Sequence, residues 1–519
     1  MFSRFINLEL SRNKQTVINI IASVLNMAVT TLISFVLSPY IVGTLGVEAN
    51  GFVSLANNFI SYAMLARTAL NSMGSRFLMM AYYNDQHEKV QKYYSSLFFG
   101  DLFLSLAFGV ISAVCIGSLE HLLNIPVSMV TDVKWLFALL FTNFIISTIL
   151  TAWSVAPYIK NKLYLDSATT AVTAIVRALV IAGLFICLEP SVSFVGIGTL
   201  VSGLLGYGAH FVFKRTLFPD WRVRRENFSW LYIKELLSSG VWNSISSLGS
   251  ILTNGIDLLV ANLFIGPLEM GILSVAKTMP AFVSTLNETM ANVFTPSLLI
   301  DYAHNEVGEI VSTMKKSSKM ISAVCSIPLG FLMVFGEEFY ALWQPTQDAH
   351  VLHILSVITI AARVLFTGMQ PLFNVFTVVN KVKQNSIVTI ANGLVSIGIT
   401  AILLYTTDLG VYAIAGVSVV CCVVKNLVFV IPYSAKYLGL HWKSFYFTLV
   451  PSVVSCVVLY AWGLVEKMLI QINGWGTMFV AGVVFATVGI LLTSLIVLNK
   501  RERGYLIRIM TSKLKRNRQ

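Results

Sequence analysis

Four cations stand inside stretches apolar enough to cross a bilayer: Arg67, Arg177, Lys277 and Arg363. A charge at the bilayer centre costs about 2.5–3.5 kcal/mol or more, so each must face protein, water or a ligand. Arginine grips phosphate oxygens bidentately, whereas lysine acts as a point charge. The set therefore suits an anion, above all a phosphate or pyrophosphate, with internal ion pairs or snorkelling to the surface as the competing reading. A fifth cation, Lys425, sits alone among apolar neighbours and is a weaker case. The acids at comparable depth are Asp101, Asp257 and Glu288, too few to neutralise all five. Asp257 and Glu288 are candidate coupling sites for an ion or proton. An Asp257 or Glu288 ion pair with a nearby cation is the alternative. Lys277 and Glu288 lie eleven residues apart, three turns, and so share a face.

Polar side chains recur at helical spacing around these charges. Asn243, Ser246, Ser250, Asn254 and Asp257 form one stripe in an otherwise apolar segment. At an offset of 220 the stripe reappears as Ser23, Asn26, Thr30 and Ser34. Arg363, Thr367, Gln370 and Asn374 form another stripe, beside Pro371, which is placed to bend that helix. Its mate at the same offset reads Asn143, Ser147 and Ser154, so the arginine belongs to one copy alone. Such seams suit hydroxyl-rich material such as sugars, or hydrogen bonds between helices.

The elements that position these residues are set by composition. Of 519 residues 56% are hydrophobic and only 12% charged, which places the chain in a membrane. Apolar runs can be drawn at roughly 16–41, 51–72, 93–117, 134–157, 168–188, 191–213, 236–262, 268–292, 319–336, 351–379, 385–406, 411–433, 445–464 and 477–498, fourteen in all. With both termini cytoplasmic, the inside segments collect 29 of the 36 cations, and the outside segments hold only Lys134 and Lys467. That asymmetry follows the positive-inside rule, so the net charge of +12 is topology and attraction to anionic lipid rather than a nucleic-acid surface. All six cysteines fall within the spans without ligand spacing and read as packing residues, not as disulfides or a metal site. Residues 1–13 are amphipathic enough for a short interfacial helix.

The repeat extends beyond the seams. Gly51, Ser54 and Ala56 match Gly271, Ser274 and Ala276, and Leu78 and Tyr82 match Leu298 and Tyr302. After a one-residue shift, Asn161, Lys162 and Ser167 match Asn380, Lys381 and Ser386. The unit holds six spans, an even number, so both copies share one orientation. The expected division is an N-terminal six-helix bundle over 1–213 and a cytoplasmic linker over 214–234. A C-terminal six-helix bundle over 235–440, two additional helices over 441–498 and a basic cytoplasmic tail over 499–519 complete it. The linker carries Pro219, Trp221 and Trp230 and reads as lying against headgroups. The fold class is all-α, a polytopic membrane protein of about fourteen transmembrane helices. No glycine-rich nucleotide loop, metal-ligand spacing or catalytic pair stands out, so no enzyme is expected.

The two six-span halves, the Ser38-Pro39-Tyr40…Gly43…Leu45-Gly46 end of the first span and the Gly51-Phe52…Ala56 opening of the second carry a resemblance. They resemble the polysaccharide-transporter branch of the multidrug/oligosaccharidyl-lipid/polysaccharide exporter superfamily, which includes the Wzx-type flippases for O-antigen and related glycans. The resemblance covers roughly residues 15–440. It implies two bundles around a central cavity and alternating access in a bacterial inner membrane. The implied substrate is an undecaprenyl-pyrophosphate-linked oligosaccharide, turned from the cytoplasmic to the outer leaflet for surface polysaccharide assembly. Membrane lipids and glycan polymerase machinery are the implied partners. No cofactor is expected; a H+ or Na+ gradient or the membrane potential would drive the cycle. On this reading Arg67, Arg177, Lys277 and Arg363 would give the cavity its charge, and Asn26, Thr30, Ser34, Asn243, Ser246, Ser250, Asn254, Gln370 and Asn374 would line it. A drug/cation antiporter of the same superfamily, a lipid II flippase and a non-transporting membrane scaffold or lipid receptor are the other readings.

Overall fold

The computed structural model describes residues 12–498 apart from 293, 295–297, 299–300, 303, 305 and 380. The amphipathic start and the basic tail lie outside the described residues. No strand occurs among the described residues. The chain divides into two compact units, Met1–Gly271 and Ile272–Gln519.

The first unit contains α1 (Arg12–Leu45), α2 (Val47–Asn71), α3 (Gly74–Tyr83), α4 (His87–Gly117), α5 (Val130–Ile149), α6 (Thr151–Ile159), α7 (Leu163–Cys187), α8 (Ser193–Leu217), α9 (Trp230–Asn254) and α10 (Asp257–Phe264). Helix α11 (Pro267–Ala276) crosses the division. The second unit continues with α12 (Thr278–Asn292), α13 (Val307–Trp343), α14 (Ala349–Phe366), α15 (Leu372–Val378), α16 (Val382–Thr406), α17 (Val411–Lys425), α18 (Ile431–Tyr437), α19 (Leu449–Leu469) and α20 (Trp475–Val497). A π-helical stretch, Asn426–Val430, joins α17 to α18.

Among the described residues, 11 helices are long and apolar enough to cross a membrane, or 12 if the bent pair α9–α10 is one span. The expected runs at 51–72 and 268–292 make up the difference. They are mates in the repeat, and both are polar. Helix α2 is 25 residues long, about 37 Å, but carries Glu48, Asn50, Asn57, Asn58, Arg67 and Asn71. The run at 268–292 is divided at Lys277 into α11 and α12. Lys277 therefore stands at a joint, and the face it was expected to share with Glu288 does not run along one continuous helix.

In the first unit α1 packs along α7, and α9 along α2. Asn19 fixes the first pair near the chain's start: its amide donates to the Asn161 carbonyl at 2.9 Å, and its Oδ1 accepts from the Tyr164 backbone at 3.0 Å. Ser23 and Ser167 hydroxyls meet one turn further on at 3.2 Å. The second pair approaches closely because Gly240 has no side chain; a Cβ there would lie 2.1 Å from the Ala69 carbonyl oxygen. Within the linker, Phe218 stacks on Trp221 at 4.1 Å, against Tyr82 and Tyr94. Trp221 is thus folded into the core with Leu97, Ile159 and Leu236 and does not lie against headgroups. Aromatic stacking inside the protein displaces the expected interfacial role. Trp230 is exposed and stacks on Phe103.

In the second unit the last two helices pack on α13. Val334 and Phe335 of α13 share a core with Leu459 of α19 and Phe485 of α20. Ser322 and Ser452 hydroxyls meet at 3.1 Å, and Ser452 accepts the Gly368 backbone N–H at 2.7 Å. Lys467 is paired with Glu338 at 2.5 Å, and Lys134 of the first unit with Glu120. Both cations assigned to outside segments are thus neutralised locally. The hydrogen bond from Lys134 holds the exposed Glu120 carboxyl below its ordinary range.

Candidate functional site

The stripe on α1 lies opposite its exposed apolar face. At 100° per residue, exposed Ile21, Leu25, Leu32 and Val36 fall on one side. Asn26 and Thr30 fall on the other, half-buried, followed by exposed Ser34. Thr30 and Ser34 donate back to the carbonyls of Asn26 and Thr30, at 2.9 and 3.0 Å. Asn26 Oδ1 is buried with no hydrogen bond. On α9, Asn243 and Ser246 are half-buried and Ser250 is exposed, its hydroxyl 3.3 Å from the Ser246 carbonyl. The Asn254 side chain lies outside the described residues.

The second stripe does not run on to Asp257. The helix breaks after Asn254 and resumes at Asp257 with a 44° bend. Two side chains of α2 hold the break: Asn58 Nδ2 and Tyr62 Oη both donate to the Gly255 carbonyl, at 2.9 and 2.8 Å. A carbonyl drawn sideways by two donors is lost to the helical ladder, which is an ordinary cause of a kink. Asp257 then sits buried in the first turn of α10, with its charge felt by Tyr62. Glu288 is exposed on α12.

The cations fall into separate settings. Arg67 donates through Nη1 to the Ser147 hydroxyl at 3.0 Å. Ser147 stands one turn from Asn143, whose Oδ1 accepts the Tyr207 hydroxyl at 2.9 Å. Beside them Asn71, one turn past Arg67, donates to Asp101 Oδ1 at 2.6 Å. Asp101 is fully buried, and it and Arg67 act on each other electrostatically without forming a contact ion pair. Helices α2, α4, α5 and α8 thus build one polar cluster inside the first unit. Arg177, on α7, has a buried Nε with no hydrogen bond. Lys277 is half-buried at the α11–α12 joint.

In the second unit Arg363 lies in the last turn of α14. The helix is interrupted where Pro371 was expected to bend it: it stops at Phe366, a 3-10 turn spans Thr367–Met369, and α15 begins after Pro371. Thr367 donates to the Arg363 carbonyl at 2.7 Å and is buried, while Gln370 and Asn374 are half-buried. Arg363 lies close enough to Lys425 for the two charges to act on each other. Lys425 also sits over the Phe373 ring at 5.9 Å. Among the described residues no carboxylate lies within ion-pair distance of either cation. Sequence reasoning set Lys425 aside because its neighbours along the chain are apolar; its neighbour across the helices is Arg363.

A family model described as polysaccharide biosynthesis protein matches residues 17–298. The chain belongs to that family. It is 25% identical over 493 residues to the uncharacterized membrane protein EpsK of Bacillus subtilis strain 168, covering 95% of this chain and 97% of that one. Its fold resembles an inward-facing multidrug resistance MATE family transporter of the MOP superfamily, with TM-score 0.64 and 16% identity over 79% of this chain and 94% of the other. The lipid II flippase MurJ in an inward closed conformation matches with TM-score 0.64 and 11% identity, over 92% of this chain and 98% of that one. Family and helices together make this a multi-pass membrane protein of the polysaccharide biosynthesis family, with a fold like those of the MATE transporter and MurJ.

Proposed function

We propose that the protein turns an undecaprenyl-pyrophosphate-linked oligosaccharide from the cytoplasmic to the outer leaflet of a bacterial inner membrane, both termini being cytoplasmic. The observation that carries this reading is the pairing of Arg363 with Lys425 without a carboxylate within ion-pair distance among the described residues. Two cations held close together in an apolar bundle repel each other, and a group with two adjacent negative charges relieves both. Pyrophosphate is such a group. Arg363 supplies the bidentate contact and Lys425 the point charge, while Gln370 and Asn374, seven and eleven residues further along the chain, present amides suited to sugar hydroxyls. Arg177 and Lys277 add to the positive potential. Alternating access needs a ligand or ion that favours one state. A H+ or Na+ gradient or the membrane potential would drive it, with Asp257 the better placed of the two acids because Glu288 is exposed. Glycan polymerase machinery would receive the product.

The test is flipping of an undecaprenyl-pyrophosphate-linked oligosaccharide in vesicles containing the purified full chain. Losing a charge-assisted hydrogen bond costs about 1.5–3 kcal/mol, a ten- to hundredfold loss of affinity. Arg363→Ala should abolish flipping at normal protein levels, and Arg363→Lys should restore it only in part. Normal flipping by both Arg363→Gln and Lys277→Gln would sink the cationic reading.

An ion-coupled multidrug/cation antiporter is the second reading, favoured by the buried acids Asp101 and Asp257. Uptake of a lipophilic cation that survives Arg363→Ala and fails in Asp257→Asn would favour it.

A further inference from the structure

Helix α17 does not run straight into α18. The stretch between them, Asn426–Val430, is π-helical, and such turns close their hydrogen bonds over five residues and recur at functional sites. The repeat supplies an internal control. The mate of α17 is α8, which is α-helical throughout from Ser193 to Leu217. Buried Val195, Gly198 and Ser202 of α8 match buried Ile414, Val417 and Cys421 of α17 at an offset of 219. The buried end caps, Phe218 and Leu438, match at 220. The second copy therefore holds one residue more, and the π-helical stretch takes it up.

A count of backbone partners shows what holds that stretch. The Ile431 N–H donates to the Asn426 carbonyl, five residues back. In an α-helix it would reach Leu427, so the Leu427 carbonyl has lost its α partner. Its π partner would be Pro432, which has no N–H. The positions of α8 that match Pro432 at the two offsets, Phe213 and Val212, are not prolines. The missing donor comes from outside the helix: the Tyr446 hydroxyl donates to the Leu427 carbonyl at 2.7 Å. Tyr446 opens the 3-10 turn that leads into α19. Its neighbour Phe445 is packed in one core with Phe429, Val430 and Ile431. Lys425 stands immediately before the stretch, with its Nζ 5.9 Å from the centre of the Phe373 ring. If the Ile431 N–H returned to Leu427, the residues before the stretch would turn by about 100° against those after it. The core around Phe445 fixes the later residues, so the turn would fall on Lys425 and carry it off the face it shares with Phe373.

We propose that Tyr446 is a positioning residue for the cationic site: by occupying the Leu427 carbonyl it holds Ile431 on Asn426, and that register keeps Lys425 beside Arg363. That the site takes a pyrophosphate rests on the function proposed above; the register does not.

The experiment places Arg363→Cys and Lys425→Cys in the full chain in lipid vesicles and joins them with a short bis-maleimide, the linked peptides being identified by mass spectrometry. At equal protein levels the yield of that link should fall about three- to tenfold in Tyr446→Phe, the worth of one hydrogen bond; an equal yield overturns the proposal. Deleting Val428, an exposed residue of the stretch, brings Ile431 to α spacing from Asn426 and leaves no second register. In that background Tyr446→Phe should not change the link; the same loss there would mean that the tyrosine acts by packing alone, and overturns the proposal. If Tyr446→Phe by itself does not accumulate, deletion of Val428 should restore its level, and failure to do so overturns the proposal as well. In flipping of the undecaprenyl-pyrophosphate probe, Tyr446→Phe should raise the half-saturating concentration about three- to tenfold with the maximal rate kept. It should add nothing to Lys425→Met; a full further loss would show that it does not act through Lys425. If the link behaves as expected while even wild type ignores the glycan probe, the substrate reading fails and the positioning role stands.

Discussion

The polar clusters of the two units occupy related positions in the repeat and carry different electrostatic balances. In the first, Asn143 and Ser147 on α5 meet Tyr207 on α8, and Arg67 joins them from α2 with Asp101 behind it. Their mates in the second are Arg363, Thr367 and, after the one-residue shift, Asn426, the neighbour of Lys425. The mates of Arg67 and Asp101 are Asn287 and Ile321. One copy thus holds a cation with an acid and neutral acceptors close by, the other two cations with no acid in ion-pair reach among the described residues. The duplicated frame places polar groups at the same helix–helix junctions in both copies. Substitutions at those junctions left one half with an acid beside its cation and gave the other a charge to share.

That contrast predicts that stability and transport respond to different halves. Arg67→Ala should have the largest effect on folding. It leaves Ser147 without its donor and Asp101 without its cation, at a cost of about 1.5–3 kcal/mol, read as a lower unfolding temperature in detergent. Arg363→Ala leaves no acid orphaned, so an equal loss of stability there would break the comparison. Tyr207→Phe removes a neutral hydroxyl bonded to Asn143 and Ser147 and should cost about 1 kcal/mol in the same measurement. The smallest effect belongs to Lys425→Met, which keeps the apolar stem and removes a charge beside another cation. Stability should stay within about 0.5 kcal/mol of wild type while flipping falls at least tenfold; a clear destabilisation would mean that Lys425 is bonded as Arg67 is.

The sequence by itself determined the class, the repeat, the polar stripes and the list of charges in apolar helices. Those are properties of the chain read one residue after another, because burial acts on each helix face with the helix's own period. The Pro371 break was also legible, since proline interrupts a helix through its own backbone. Which charge meets which was not legible. Arg67 and Ser147 are 80 residues apart, and Lys425 and Arg363 meet through α14 and α17. Nor was the bend at Gly255 legible. The mate of Gly255 on the uninterrupted α1 is Phe35, and the mates of its two donors, Asn58 and Tyr62, are Thr278 and Phe282. A glycine alone would have signalled only a weak point; the bend needs two donors from another helix aimed at one carbonyl. Hydrogen bonds and ion pairs act over a few ångströms in space, so they are decided by which helices become neighbours, and the period along a single helix does not encode that.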